Sequence, residues 1–160
     1  MGNVFLYRMP SGIPGAISRQ SQCTVEAHMT DGQFSGYGVF GKFSPANGKF
    51  VPLEAADTAV YGLIVRAYPT QSAINTFGSD IPQTGVVQDV LRRGYMTVKC
   101  NAGNAKAAQP VHVRIGAPTQ TKLLGGIEAV ADGANTIELK NAIFMHDADA
   151  QGNVEISFNV

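Results

Sequence analysis

Residues 41–52 read Gly-Lys-Phe-Ser-Pro-Ala-Asn-Gly-Lys-Phe-Val-Pro, and they contain the clearest structural signal in the chain. The central Asn47-Gly48 pair is typical of a β-hairpin, because both residue types tolerate the positive φ of a tight two-residue turn. The flanks repeat each other as Gly-Lys-Phe-Ser-Pro and Gly-Lys-Phe-Val-Pro. Proline cannot donate a ladder hydrogen bond, so Pro45 and Pro52 predict strands that are short or lie at a sheet edge.

Short strands separated by turns continue in both directions from this hairpin. Val25, Ala27 and Met29 alternate with polar residues ahead of an Asp-Gly turn. Residues 86–91 have only weak helical spacing, and no segment has the start, length and stop signals of an ordinary helix. About ten short strands at this spacing predict an all-β barrel or sandwich. The further strands are predicted at 37–43, 58–68, 95–100, 111–115, 127–130, 136–139, 142–145 and 154–160, with a long loop at 69–85.

The composition excludes several classes of protein. The 160 residues include 12 Lys+Arg and 12 Asp+Glu, so the net charge is zero, and 44% of them are hydrophobic. The chain is therefore neither disordered nor a nucleic-acid binder, and no apolar run is long enough to span a membrane. Only 15% of residues are charged, against roughly 25% in an average chain, which favours association with other subunits. With two cysteines and no recognisable signal peptide, we expect one domain that folds in a reducing cytoplasm.

Residues 1–22 differ from the rest and predict an extended N-terminal arm ahead of a β domain at 23–160. Proline and glycine recur too often there for a helix, yet the segment is too apolar for a solvated tail. We expect the arm to lie on another subunit or on the body of the protein. Its candidate partner contacts are apolar or aromatic side chains and two arginines that can bind a carboxylate through two hydrogen bonds: Phe5, Tyr7, Arg8, Ile13, Pro14, Ile17 and Arg19. The consecutive arginines Arg92 and Arg93 either face solvent or contact an acidic partner.

A glycine pattern at residues 36–42 matches nucleotide-binding motifs in residue type but not in the structure that must follow it. Residues 36–41 fit the dinucleotide fingerprint, and 36–42 fit the first seven positions of a phosphate-binding loop. Both motifs need a helix directly afterwards, so that its N-terminus meets the phosphate. Pro45 and the Asn-Gly turn exclude that helix. The pattern therefore predicts a glycine-rich strand and no nucleotide cofactor.

Other catalytic or metal-binding patterns are equally incomplete. Residues 147–152 resemble the start of a calcium loop, but its twelfth position is Phe158 where a glutamate is required. A weaker metal site of His146, Asp147 and Asp149 stays open as an alternative to a polar turn. No nucleophile has a histidine nearby in sequence, and His112, on the face shared by Arg114, is predicted to be exposed. The sequence therefore predicts no enzyme, no bound metal and no cofactor.

Seven segments form a familiar set in their order along the chain: Ser11-Gly-Ile-Pro-Gly15, 48–53, 60–66, Tyr68-Pro-Thr-Gln71, 89–98, 125–129 and 153–159. This ordered set resembles the structural cement proteins of tailed bacteriophages, from about residue 11 to the C-terminus. The resemblance implies a jelly-roll-like protein on the outside of the virion capsid. Such a protein clamps neighbouring major capsid subunits, often dimerises, and has no catalytic residues. Residues 1–10 have no counterpart in the resemblance.

Two other functions are compatible with the same residues. One is a carbohydrate- or surface-binding β-sandwich module of a phage particle, in which Tyr37, Tyr61 and Tyr68 would stack on sugar rings. The absence of tryptophan counts against that function. The other is a hydrolase whose site is assembled from distant residues, and it is the weakest, because no nucleophile–base pair is visible.

Overall fold

The computed structural model describes residues 12–55, 57–67 and 81–160, and this part of the chain is almost entirely β-structure. Its nine strands are β1 (Thr24–Met29), β2 (Phe40–Ser44), β3 (Lys49–Pro52), β4 (Gly62–Ile64), β5 (Val87–Ala102), β6 (Pro110–Arg114), β7 (Ile127–Glu128), β8 (Thr136–Phe144) and β9 (Asn153–Phe158). Two short 3₁₀ turns lie at Gln20–Gln22 and Gly133–Asn135. The predicted all-β fold is confirmed, and the described residues include no helix able to cross a membrane.

The long strand β5 belongs to two sheets. Its C-terminal half pairs antiparallel with β9 and parallel with β7. The remaining neighbours run β7-β6-β8-β9, so the ring of hydrogen-bonded strands returns to β5 and closes a barrel. Closure removes free strand edges. The parallel β5–β7 pair and the 16 residues of β5 depart from the short antiparallel strands that the sequence predicts.

The N-terminal half of β5 organises the second sheet. There β5 lies between β1 and β4, and the order continues through β2 to β3 at the end of the sheet. The predicted β2–β3 hairpin is present, but its turn has four residues, 45–48, because Ser44 is paired with Lys49. Of the Asn-Gly pair only Gly48 has a positive φ, 68°. The outer strands of this sheet approach each other at one parallel bridge between Thr30 and Phe50.

Gly94 marks the point at which β5 passes from one sheet to the other. Arg93 is paired with Thr24 of β1, whereas Gly94 is already paired with Phe158 of β9. Gly94 has φ 134°, and a Cβ there would lie 2.8 Å from the Cβ of Cys23. Only glycine combines this backbone conformation with so close an approach.

Two apolar clusters fill the two parts of the fold. The barrel cluster includes Met96, Val113 and Phe158, and the smaller cluster includes Phe34 and Phe50. Phe40 of β2 packs into the barrel cluster, with its ring 5.1 Å from that of Phe158 in an edge-to-face arrangement. The second sheet therefore contributes to the barrel core, which ties the two parts together.

Some predicted elements differ from the observed ones. Residues 87–91, with their weak helical spacing, lie in β5, and of the predicted strand at 58–68 only Gly62–Ile64 is a strand in the described residues. The two predicted strands at 136–139 and 142–145 are one strand, β8. Its register against β6 jumps from Leu139 to Ile143. This bulge interrupts the alternation, because the bulged residues leave the ladder. The loop predicted at 69–85 lies mostly outside the described residues.

Candidate interaction surface

Residues 12–19 lie along the barrel half of β5. The Gly15 amide donates to the Thr97 carbonyl at 2.8 Å, and the Ser18 amide donates to the Tyr95 carbonyl at 3.1 Å. Ile17 forms an antiparallel bridge with Met96. This part of the predicted arm is therefore held on the body of its own chain by backbone hydrogen bonds.

A side-chain contact fixes the end of the same segment. Arg19 binds Glu155 of β9 with two hydrogen bonds, of 3.1 Å from Nε and 2.8 Å from an Nη atom. The guanidinium also lies 3.9 Å from the ring centre of Tyr95. Burial alone raises the pKa of Glu155, but the hydrogen bonds from Arg19 and Ser18 outweigh it, so the pKa of this carboxyl lies below its usual value. In this structure Arg19 therefore makes its bidentate contact with a carboxylate of its own chain.

Arg19→Gln is expected to lower the melting temperature at pH 7, and the difference from the wild type is expected to shrink as the pH falls through the folded-state pKa of Glu155. A carboxyl whose pKa is lowered in the folded state contributes stability above its unfolded pKa, here about 4.5. That contribution disappears as the pH falls through the folded-state value. Melting curves of both proteins from pH 3 to 7 measure the difference. A gap between them that stays constant over this range would show that the ion pair does not stabilise the fold.

The predicted contact residues occupy different environments. Ile13 is 52% exposed, Pro14 and Ile17 are half-buried, and Arg19 is exposed. Phe5, Tyr7 and Arg8 lie outside the described residues. The arm candidates that the structure describes therefore share one edge of β5, with Ile13 as its most exposed apolar side chain.

The consecutive arginines Arg92 and Arg93 have different surroundings. The Arg92 guanidinium lies 3.5 Å from the ring centre of Tyr61, donates to the Tyr61 carbonyl, and has Nε 3.5 Å from a carboxylate oxygen of Glu26. Tyr61 in turn donates its hydroxyl hydrogen to Glu26 at 2.7 Å. Arg93, on the opposite face of β5, is exposed. Arg92 is thus held within its own chain, and Arg93 faces solvent.

Exposed apolar side chains lie along the β1–β5 pair, interrupted on β5 by exposed Asp89, which is paired with Ala27. We define this apolar strip as Val25, Ala27, Met29 and Val87. Val25 is 37%, Met29 43% and Val87 61% exposed, and Met29 is paired with Val87. Apolar patches that face solvent often mark binding surfaces. The sequence shows the alternation in β1 but not which face is outside, and nothing in it distinguishes this strip from a buried one.

The prediction that His112 is exposed is wrong. His112 is only 8% exposed and Arg114 is 1% exposed, so both faces of β6 are covered beyond Pro110. Arg114 forms two hydrogen bonds with the buried carboxylate of Glu128, of 2.7 and 2.8 Å, and a third contact of 2.7 Å with Asp132. A buried charge is tolerated when it is paired in this way. The presence of Arg114 on the His112 face of β6 therefore does not show that this face is exposed.

The acidic groups of the polar turn at 147–152 both have partners within the chain. Asp149 accepts hydrogen bonds from the amides of Gln151 and Asn153 at 2.9 and 2.8 Å. Asp147 pairs with Lys106 at 2.8 Å. Within residues 12–55, 57–67 and 81–160, no three histidine, cysteine or acidic side chains are grouped closely enough to hold a metal ion. In this structure the turn serves to lead the chain into β9.

The chain is similar to capsid proteins over almost its whole length. The family model of the XM1 gp53 minor capsid protein matches residues 2–158. A chain in the solved structure "The capsid of Myoviridae Phage XM1" has the same fold, with a TM-score of 0.73 and 19% identity, and the match covers 99% of this chain and 97% of that one. No curated protein sequence matches. The protein therefore belongs to the XM1 gp53 minor capsid protein family, a family of structural capsid proteins of tailed phages.

Proposed function

We propose that this protein binds the outside of a tailed-phage capsid and cements neighbouring major capsid subunits. The observation that carries the proposal is the family match over residues 2–158. The neutral, sparsely charged composition and the exposed apolar side chains support it, because interface centres are poor in charged residues. The free thiols of Cys23 and Cys100 agree with synthesis in the bacterial cytoplasm.

Cementing requires two contacts at once, and the chain offers two regions for them. We assign one contact to the N-terminal arm, residues 1–22, and the other to the β domain with its apolar strip. When one contact has formed, the second becomes intramolecular and gains effective concentration, so each can be weak by itself. Self-association on the shell, as a dimer or a larger group, would add further contacts of the same kind.

Deleting residues 1–11 is expected to weaken binding to shells that lack the protein by at least about tenfold, the equivalent of one lost anchor. This deletion leaves the hydrogen bonds of Gly15 and Ser18 to β5 in place. Bound copies per major capsid subunit, counted by mass spectrometry across a titration, measure the loss. Occupancy equal to that of the full chain would refute the role of the arm.

The full deletion of residues 1–22 is the companion variant. It also removes the Arg19–Glu155 pair, and we therefore expect it to lower the melting temperature as well as shell binding. Wild-type protein that fails to bind the shells at all, or shells that resist heat equally well without it, would overturn the cementing function itself.

The carbohydrate-binding alternative gains no support from the described tyrosines. Tyr37 is buried, and the ring of Tyr61 is covered by the Arg92 guanidinium. Sugar-binding sites of that type need an aromatic face open to solvent. Tyr68 lies outside the described residues.

A further inference from the structure

Strand β1 has an open edge in the described part of the chain. It pairs with β5 on one side, and on the other side it meets β3 only at the bridge between Thr30 and Phe50. The Thr30 amide donates to the carbonyl of Val86, the residue before β5, at 2.9 Å. Because hydrogen-bonded residues alternate along an antiparallel pair, Val25 and Ala27 direct their backbone N–H and C=O groups away from β5. These groups are available to a further strand.

The open edge, residues 24–28, lacks the usual protection against strand addition. The sequence of β1, Thr-Val-Glu-Ala-His-Met, contains neither proline nor lysine, the residues that often block an exposed edge. Its one carboxylate, Glu26, lies on the other face from the apolar strip and accepts a hydrogen bond from the Tyr61 hydroxyl at 2.7 Å. The edge is therefore chemically suited to pair with a second extended chain.

A single unpaired carboxylate interrupts the apolar strip. Asp89 of β5 is exposed and lies directly opposite Ala27, next to the Met29–Val87 pair. Its carboxylate has no hydrogen bond or ion pair within residues 12–55, 57–67 and 81–160. Its backbone carbonyl accepts from the Val65 amide at 2.9 Å, which fixes its place on the strand. A partner that covers the strip must bring a cation, because a carboxylate removed from water without one is costly.

The small side chain of Ala27 leaves room for that cation. Neighbouring strands lie about 4.8 Å apart, so a residue of an added strand opposite Ala27 is about 10 Å from Asp89. An arginine spans this distance across the Ala27 methyl group and can bind the carboxylate through two hydrogen bonds. The residues two positions away from that arginine lie on the same face, where they pack against Val25 and Met29.

We propose that the open edge of β1 binds an extended segment of a partner protein as an antiparallel strand. The segment carries an arginine opposite Ala27 and apolar residues two positions away on either side. This inference rests on the proposed cementing function, from which the partner is a major capsid subunit. Backbone pairing supplies affinity, and the contact of the arginine with Asp89 selects the sequence. The apolar strip thereby becomes the second of the two contacts that cementing needs.

The proposal is tested on the full chain with a short peptide. Acetyl-Val-Thr-Arg-Thr-Val-amide is titrated into ¹⁵N-labelled protein at constant ionic strength, with glutamine in place of arginine as the neutral comparison. We expect saturable NMR shifts of the Val25, Ala27 and Asp89 amides, with the arginine peptide binding about tenfold more tightly through its charge-assisted contact. Equal affinities overturn the proposal. So do shifts of the same amides on dilution without peptide, because the edge would then join two copies of this chain.

Two N-methylated peptides test strand pairing without changing the protein. In the antiparallel arrangement the arginine N–H donates to the Ala27 carbonyl, whereas the N–H of the adjacent threonine points away from β1. Methylation of the arginine nitrogen is expected to weaken binding at least about tenfold, and methylation of the threonine nitrogen should leave most of the affinity. Equal affinities of the two methylated peptides would show that the peptide is not added to β1 as a strand.

Asp89→Asn is expected to weaken binding of the arginine peptide about tenfold and to remove its advantage over the glutamine peptide. Glu138→Gln, at an exposed glutamate of β8, is the matched control and should bind as the wild type does. On shells, Asp89→Lys should reduce occupancy and Glu138→Lys should not, and occupancy unaffected by Asp89→Lys overturns the role of this edge in capsid binding. If wild-type protein does not bind shells, the cementing function fails, while the peptide titration still decides what β1 binds.

Discussion

Arg114→Met is expected to lower the free energy of unfolding by about 3–5 kcal/mol, the usual effect of breaking a buried ion pair. The variant leaves the carboxylate of Glu128 fully buried without the guanidinium that now donates to both of its oxygens. Asp132 loses a partner too, but it is partly exposed and regains water. Urea unfolding of the purified protein measures the effect. A loss below about 1 kcal/mol would show that Glu128 is satisfied by other groups.

The double variant Arg114→Met/Glu128→Leu is the control for this experiment. Replacing both partners by apolar side chains of similar size is often neutral or even stabilising, because no charge is then left without a partner. We expect the double variant to recover most of the stability that the single variant loses. If both variants are equally unstable, the effect comes from lost packing around β6 and β7 and not from the unpaired charge.

Gly125→Ala is expected to cost about 3 kcal/mol, through backbone strain and overlap together. Gly125 has φ 72°, and a Cβ there would overlap the carbonyl oxygen of Phe40. Its carbonyl accepts from the Phe40 amide and its amide donates to the Arg114 carbonyl, both at 2.8 Å. A side chain at this position therefore separates β2 from the loop that follows β6, and urea unfolding again measures the loss.

Gly48→Ala is the matched control for the overlap. Gly48 has a similar φ of 68°, and a Cβ there would have nothing within 4 Å. The loss of stability in Gly48→Ala therefore measures the conformational strain alone, about 1 kcal/mol. Should the two alanine variants be equally stable, the close approach of Gly125 to Phe40 contributes nothing beyond backbone conformation.

Local signals in the sequence predicted the parts of the fold that local chemistry controls. Asn47-Gly48 predicted the hairpin, because the turn needs a residue that adopts positive φ at position 48 and a side chain at position 47 that accepts a hydrogen bond from the Lys49 amide. β5 was not predicted as one strand, because its two halves are buried by different sheets and so show different patterns. The exposure of His112 was predicted wrongly for a similar reason, since Arg114 on the same face is buried through its ion pair with Glu128 of the next strand, and no local pattern marks that pairing.

The interaction surfaces were predictable only in part. The apolar and cationic residues of the N-terminal arm stand out by composition, and they remain a prediction. The apolar strip has no sequence signature, since alternation in β1 is the same whether Val25 points inward or outward.

The passage of β5 through both sheets has a mechanical consequence. Tension applied between the barrel and the second sheet is carried by one continuous covalent backbone, supported on its flanks by β1, β4, β7 and β9. Within the described residues β5 crosses this junction as one strand, so tension reaches the ladder hydrogen bonds on both sides of Gly94. We therefore expect the barrel and the second sheet to resist separation under load and to unfold together.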